Sequence, residues 1–201
     1  GGGLEDDVEA LKRAWITERG CPELVPYRSD LVERVKRKLA EQEELIEEER
    51  SINTPEPWRI TAYEMEVERI SYVLKSYQRC RLKKIQRYPL YSIKDLDVRE
   101  RLSANEFEFA KSYTDLFGKH LTGTCVGRLP EPLQALDEQT RYDMIAKPNT
   151  QKHVFLRVVE SIGQFELQAG LEPVFLDKDD IWVVPYIPCI PLVARSEVEF
   201  V

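Results

Sequence analysis

The chain has 201 residues, 42% hydrophobic and 32% charged, enough apolar material for one large domain or a medium and a small one beneath a heavily ionised surface. No run approaches the ~18 apolar residues of a membrane span, and no basic-then-apolar leader opens the sequence. A net charge of −7 disfavours a protein whose main task is to coat nucleic acid.

Gly1 to Gly3 read as a scar or trimmed remnant and are set aside. Leu4, Val8, Leu11 and Trp15 then follow one helix face, which Gly20-Cys21-Pro22 ends. A second apolar stripe runs through Leu31, Val35, Leu39 and Ile46, with Asp30 and Glu33 as its expected N-cap pair. Its far end, Glu41 to Glu49, carries carboxylates where the helix dipole disfavours them, so a solvated end is expected. Thr61-Ala62-Tyr63-Glu64 predicts the capping box of a third helix, whose stripe is Val67, Ile70, Leu74 and Tyr77. Acidic residues lead this helix and Arg79, Arg81, Lys83, Lys84 and Arg87 close it before Pro89. A fourth opens at Ser103-Ala104-Asn105-Glu106 and carries Phe107, Ala110, Tyr113 and Phe117; a short piece is expected from Pro132 to Asp137. Four long helices with one stripe each make a bundle the natural architecture.

The pattern changes after residue 146. A polar linker, 147–152, leads into short β-prone runs at 154–159, 165–167, 174–176 and 181–184, with Gly163, Gly170 and Asp177 to Asp180 as punctuation. Pro185, Pro188 and Pro191 exclude an ordinary central strand after them. Val198 and Phe200 alternate with Glu197 and Glu199, the pattern of a final strand with one buried face. The fold class expected is mainly α with a small β domain: an N-terminal helical bundle over 4–146, then a short C-terminal β-sheet domain over 153–201. A sheet domain of about 50 residues is too small to be robust alone and is expected to dock on something.

Catalytic, cofactor and metal sites all lack candidates. His120 and His153 fall in different parts, without clustered carboxylates. Cys21, Cys80, Cys125 and Cys189 are 59, 45 and 64 residues apart, too far for metal-ligand spacing, and read as free thiols. No phosphate loop, nucleophile elbow or zinc-helix motif occurs, and Asp177, Asp179 and Asp180 lack the glycine and distal glutamate of a calcium loop. Arg79, Lys83 and Arg87 share one helix face and could meet phosphate or a protein partner; a dipole-matched or interface face is the commoner case.

The segment from Met65 to Ile85, MEVERISYVLKSYQRCRLKKI, resembles the signature helix of a GINS subunit. Ala14-Trp15 with Pro22-Glu23-Leu24, then Val154-Phe155-Leu156-Arg157-Val158, then Pro191-Leu192-Val193-Ala194-Arg195 extend the likeness over nearly the whole chain, specifically to the Sld-five subunits. That resemblance implies a non-catalytic scaffold without cofactor, one of four related chains in a nuclear heterotetramer. It implies partners too: three other GINS subunits, then the MCM motor ring and a further accessory protein, together forming the eukaryotic replicative helicase. Replisome adaptor or polymerase proteins are further possible partners, with direct DNA contact weak or absent. The alternative is a nucleic-acid-binding adaptor using Arg79 to Arg87. The residues nominated for protein contact are Tyr72, Tyr77, Arg79, Arg81, Lys83, Arg87 and Phe109 on the helices, and Leu192, Val193, Val198 and Phe200 at the C-terminal end.

Overall fold

The computed structural model describes residues 3–51, 57–130, 134–135, 144–166, 173–195 and 197–201. Three long helices build the first core: α1 (Leu4–Gly20), α2 (Ser29–Arg50) and α3 (Pro57–Arg87). Leu11, Val32, Val35, Ile70 and Tyr77 are its most deeply buried members, and burying each of the aliphatic ones stabilises by about 1.5–3 kcal/mol. Asp7 pins α1 to α2 through Lys38 Nζ at 2.6 Å and Arg34 Nε at 3.2 Å. The Lys38 bond, outweighing burial and helped by Arg34, holds the Asp7 carboxyl below the usual range.

The helix starts differ from the expected caps at two places. α2 begins two residues early, with Arg28 at the N-cap and no side-chain cap, so Asp30 sits in the first turn and acts only through the dipole. α3 begins at Pro57, whose ring is pre-set for a first helical position. Thr61 therefore lies one turn inside, its hydroxyl donating to the Pro57 carbonyl at 3.0 Å. The third box stands as read: on α6 (Ala104–Thr124) Ser103 Oγ accepts from Glu106 N–H, and Glu106 accepts from Ser103 N–H.

Two short helices, α4 (Pro89–Lys94) and α5 (Leu96–Glu100), link α3 to α6. Ile85, Val98, Ala110 and Leu24 form a second small core there. Of α6 only Glu106 and Ala110 are buried, and its second half is half-buried or exposed throughout. The short piece expected at Pro132 to Asp137 lies mostly outside the described residues.

Among the described residues the C-terminal part holds two antiparallel sheets rather than one. β1 (His153–Val158) lies between β4 (Ile181–Pro185) and β5 (Val198–Phe200), while β2 (Gly163–Phe165) pairs only with β3 (Val174–Leu176). Leu156 faces both Trp182 and Phe200, which fixes the register. Asp179, at φ 68°, turns the chain into β4; aspartate is among the few residues that tolerate that conformation. The proline-rich stretch is α7 (Tyr186–Ala194). Pro188 falls in the first turn, where an N–H has no helical partner to lose, and only Pro191 removes a bond. Tyr186, Cys189 and Leu192, three apart, face the core.

This part docks on its own helical neighbour. Its apolar core includes Cys21, with Ile16 and Val25 packed against it. Phe200 lies so close to Gly20 that a Cβ there would come within 2.8 Å of the ring.

Candidate functional site: the two sides of helix α3

The inner side of α3 carries a buried ionic junction. Arg81, fully buried, donates from Nε to Glu106 Oε1 at 2.7 Å and from a terminal nitrogen to Glu18 Oε2 at 2.8 Å. It also donates to the Val25 carbonyl and, at 2.9 Å, to that of Arg101. Tyr27 and Tyr77 present their rings to the guanidinium at 5.2 and 5.8 Å. Burial opposes the charge, yet the Glu106 bond and the Glu18 field outweigh it and push the Arg81 pKa up.

The junction extends to the β part. Lys84 Nζ bonds Glu18 at 2.6 Å and the Glu23 carbonyl at 2.7 Å. Glu23 takes Arg101 at 2.9 Å and the Tyr186 hydroxyl at 2.8 Å. Burial foremost, then the neighbouring Cys21 and Glu23, push the Tyr186 phenol up. One polar network thus joins α1, the 21–27 segment, α3, the start of α6 and α7.

The outer side of α3 is solvent-facing. Trp58, Met65 and Tyr72 are 71%, 66% and 61% exposed, and Arg79, Lys83 and Arg87 continue the exposed surface toward the C-terminus. Tyr72 touches Trp15 edge-on at 6.4 Å, and Arg19 lies over Trp15 at 5.5 Å. Two further apolar surfaces face solvent. On α6, Phe109, Tyr113 and Phe117 stack at 6.0 and 6.3 Å, with exposed Leu116 beside them. On the three-stranded sheet, exposed Phe155 opposes exposed Val183, with exposed Ile181 and Val201 nearby. Exposed apolar surfaces of this kind mark interaction sites.

The nominated contact residues divide accordingly. Tyr72, Arg79, Lys83 and Arg87 are exposed; Phe109 and Val193 are half-buried. The expectation that Tyr77, Arg81, Leu192, Val198 and Phe200 face a partner is corrected: they are 1%, 0%, 3%, 3% and 4% exposed within this chain. Arg81 points into the core because two carboxylates and two carbonyls wait there. The C-terminal residues are consumed by the chain's own sheet and by α1. Sequence reading missed Glu18, Glu23, Arg101, Glu106 and Tyr186 as junction members, and Trp58 and Met65 as exposed partners of Tyr72.

Among the described residues no group of three or more His, Cys, Asp or Glu side chains is placed to hold a metal ion. His120 and His153 are both exposed. Neither lines the cavity of about 180 Å³ between α1, α2 and α3 or the one of about 10 Å³ inside the β part.

Residues 38–123, from α2 through most of α6, match the family model described as the GINS complex protein helical bundle domain. A protein of Arabidopsis thaliana named DNA replication complex GINS protein SLD5 is 32% identical over 90% of this chain and 84% of its own length. Proteins of the same name from Bos taurus and Rattus norvegicus are 32% and 30% identical, each over 96% of this chain and 88% of theirs. The chain belongs to the SLD5 family of GINS proteins.

Proposed function

We propose that this chain is a non-catalytic structural subunit of a nuclear GINS heterotetramer. In that assembly it joins three sister subunits to the MCM motor ring and a further accessory protein, completing the replicative DNA helicase. Replisome adaptor or polymerase proteins are further partners on the same reading. The observation that carries it is the likeness to SLD5 proteins across both the helical and the β part. Apolar surfaces left open on α3, α6 and the sheet support a chain that works among others. In the domain organisation we propose, 4–146 forms the helical domain, 147–152 the linker and 153–201 the β domain.

The rival reading is a nucleic-acid adaptor using Arg79 to Arg87. It is weakened because Arg81 and Lys84 spend their charge on Glu18 and Glu106 inside the fold, which leaves three cations of five. The deciding experiment is co-expression with the three other GINS subunits. A stoichiometric four-chain complex is expected, with the chain alone aggregated or poorly soluble. Purification alone as a sharp-melting monomer that ignores the other three would overturn the proposal.

A further inference from the structure

We infer that the outer face of α3 is a docking strip for one acidic amphipathic helix of another GINS chain, running antiparallel to α3. The inference rests on the GINS reading above. Trp58, Met65 and Tyr72 are seven residues apart, a step that drifts only ~20° around a helix and advances ~10.5 Å along it. Three large apolar side chains therefore form one line. Each stays at least 61% exposed, Tyr72 meeting only the edge of Trp15 among the described residues, and the buried side, with Ile70, Tyr77 and Arg81, lies opposite. Arg79 extends the same seven-residue series, and Lys83 and Arg87 follow it. Among the described residues, no carboxylate is recorded in an ion pair with any of these three cations; Arg87 rests only on the Tyr88 ring, at 5.6 Å. Three like charges within ~12 Å of helix repel one another until carboxylates arrive.

Charge also decides the occupant and its direction. A second copy of this chain laid parallel would set Arg79 against Arg79; laid antiparallel, it would set the cations against the apolar line. A partner helix with carboxylates at one end and apolar residues along the rest satisfies both halves. Carboxylates are favoured in the first turns of a helix and disfavoured in the last. The acidic end is thus the partner's N-terminal end, and it meets the C-terminal half of α3. The apolar line supplies buried area, and the charged half supplies register and partner choice.

The test uses the chain assembled with the three other GINS subunits, carrying a photo-crosslinking amino acid in place of Met65 or of Lys83. Both positions are expected to crosslink to a single helix. The Lys83 site should lie N-terminal to the Met65 site by about 18 residues, the same ~27 Å of helix in reverse. Arg79→Glu/Lys83→Glu/Arg87→Glu should raise the concentration at which the complex dissociates by about tenfold or more. Arg79→Lys/Arg87→Lys should leave it within about twofold, because opposite charge at this face is what matters. Circular dichroism confirms that the variants fold. Crosslinks in the opposite order, in two different chains or in none overturn the inference. So does a triple reversal that leaves assembly intact while abolishing binding of a labelled single strand of about 30 nucleotides, which would make the face a nucleic-acid track. Failure of the unaltered chain to join the other three subunits would instead sink the GINS reading itself, and the inference with it.

Discussion

Arg79 and Arg81 stand two residues apart on α3 and have opposite fates. Two residues turn a helix by ~200°, so one guanidinium reaches solvent while the other enters a cage of Glu18, Glu106, two carbonyls and two aromatic rings. The inner arginine organises the chain; the outer one is left for something else to organise. A run of basic residues at a helix end is thus two separate devices. Only the buried device is complete within a single chain.

The contrast can be broken most forcefully from the inside. Arg81→Ala takes the cation from buried Glu106 and leaves buried Glu18 with Lys84 alone, and truncating one partner of a buried ion pair costs about 3–5 kcal/mol. Urea titration should show most of the stability gone, and Arg81→Lys should rescue little because one ammonium cannot reach four acceptors. Phe200→Ala should cost a similar 3–5 kcal/mol if the site does not collapse. Deleting Glu197 to Val201 should unfold the β part while 4–146 persists among its partners. Limited proteolysis within the complex should then cut after residue 147; equal resistance to the intact chain would contradict it.

Smaller effects sharpen the comparison. Burial pushes the Cys21 thiol from 9.0 up to about 12 and the Cys189 thiol up to about 11. The folded chain therefore keeps protons that the unfolded chain releases above about pH 9. Their contribution is intact below that pH and drains away as the pH rises toward 11–12. Chemical denaturation across pH 8–11 should show stability falling only above about pH 9, with the fall reduced in Cys21→Ala. Least of all, Arg79→Ala with Lys83→Ala should leave the stability of the chain within about 0.5 kcal/mol, as exposed positions usually do. A loss as large as that of Arg81→Ala would erase the distinction between the two faces.

The parts legible in the sequence are those set by local chemistry. Ser103 and Glu106 cap α6 as their three-residue spacing requires, and Val198 and Phe200 bury one face of β5. Thr61 misled because Pro57 is the stronger start signal four residues upstream. α7 was hidden because Pro188 and Pro191 argue against strand without announcing that one of them falls in a helix's first turn. The junction was illegible for another reason: Glu18 and Glu106 lie 63 and 25 residues from Arg81, and no local pattern pairs them. The outer strip left a readable trace, the seven-residue spacing of Trp58, Met65 and Tyr72, which becomes informative only once the opposite side is known to be buried.

The most direct measurement is hydroxyl-radical footprinting of the assembled four-chain complex. Met65 and Tyr72, 66% and 61% exposed on this chain alone, should become as unreactive as Tyr77, which is 1% exposed by virtue of its own fold. Met65 and Tyr72 reacting in the complex as freely as side chains of that exposure ordinarily do would contradict the account, because the outer face of α3 would then be solvent surface and nothing more.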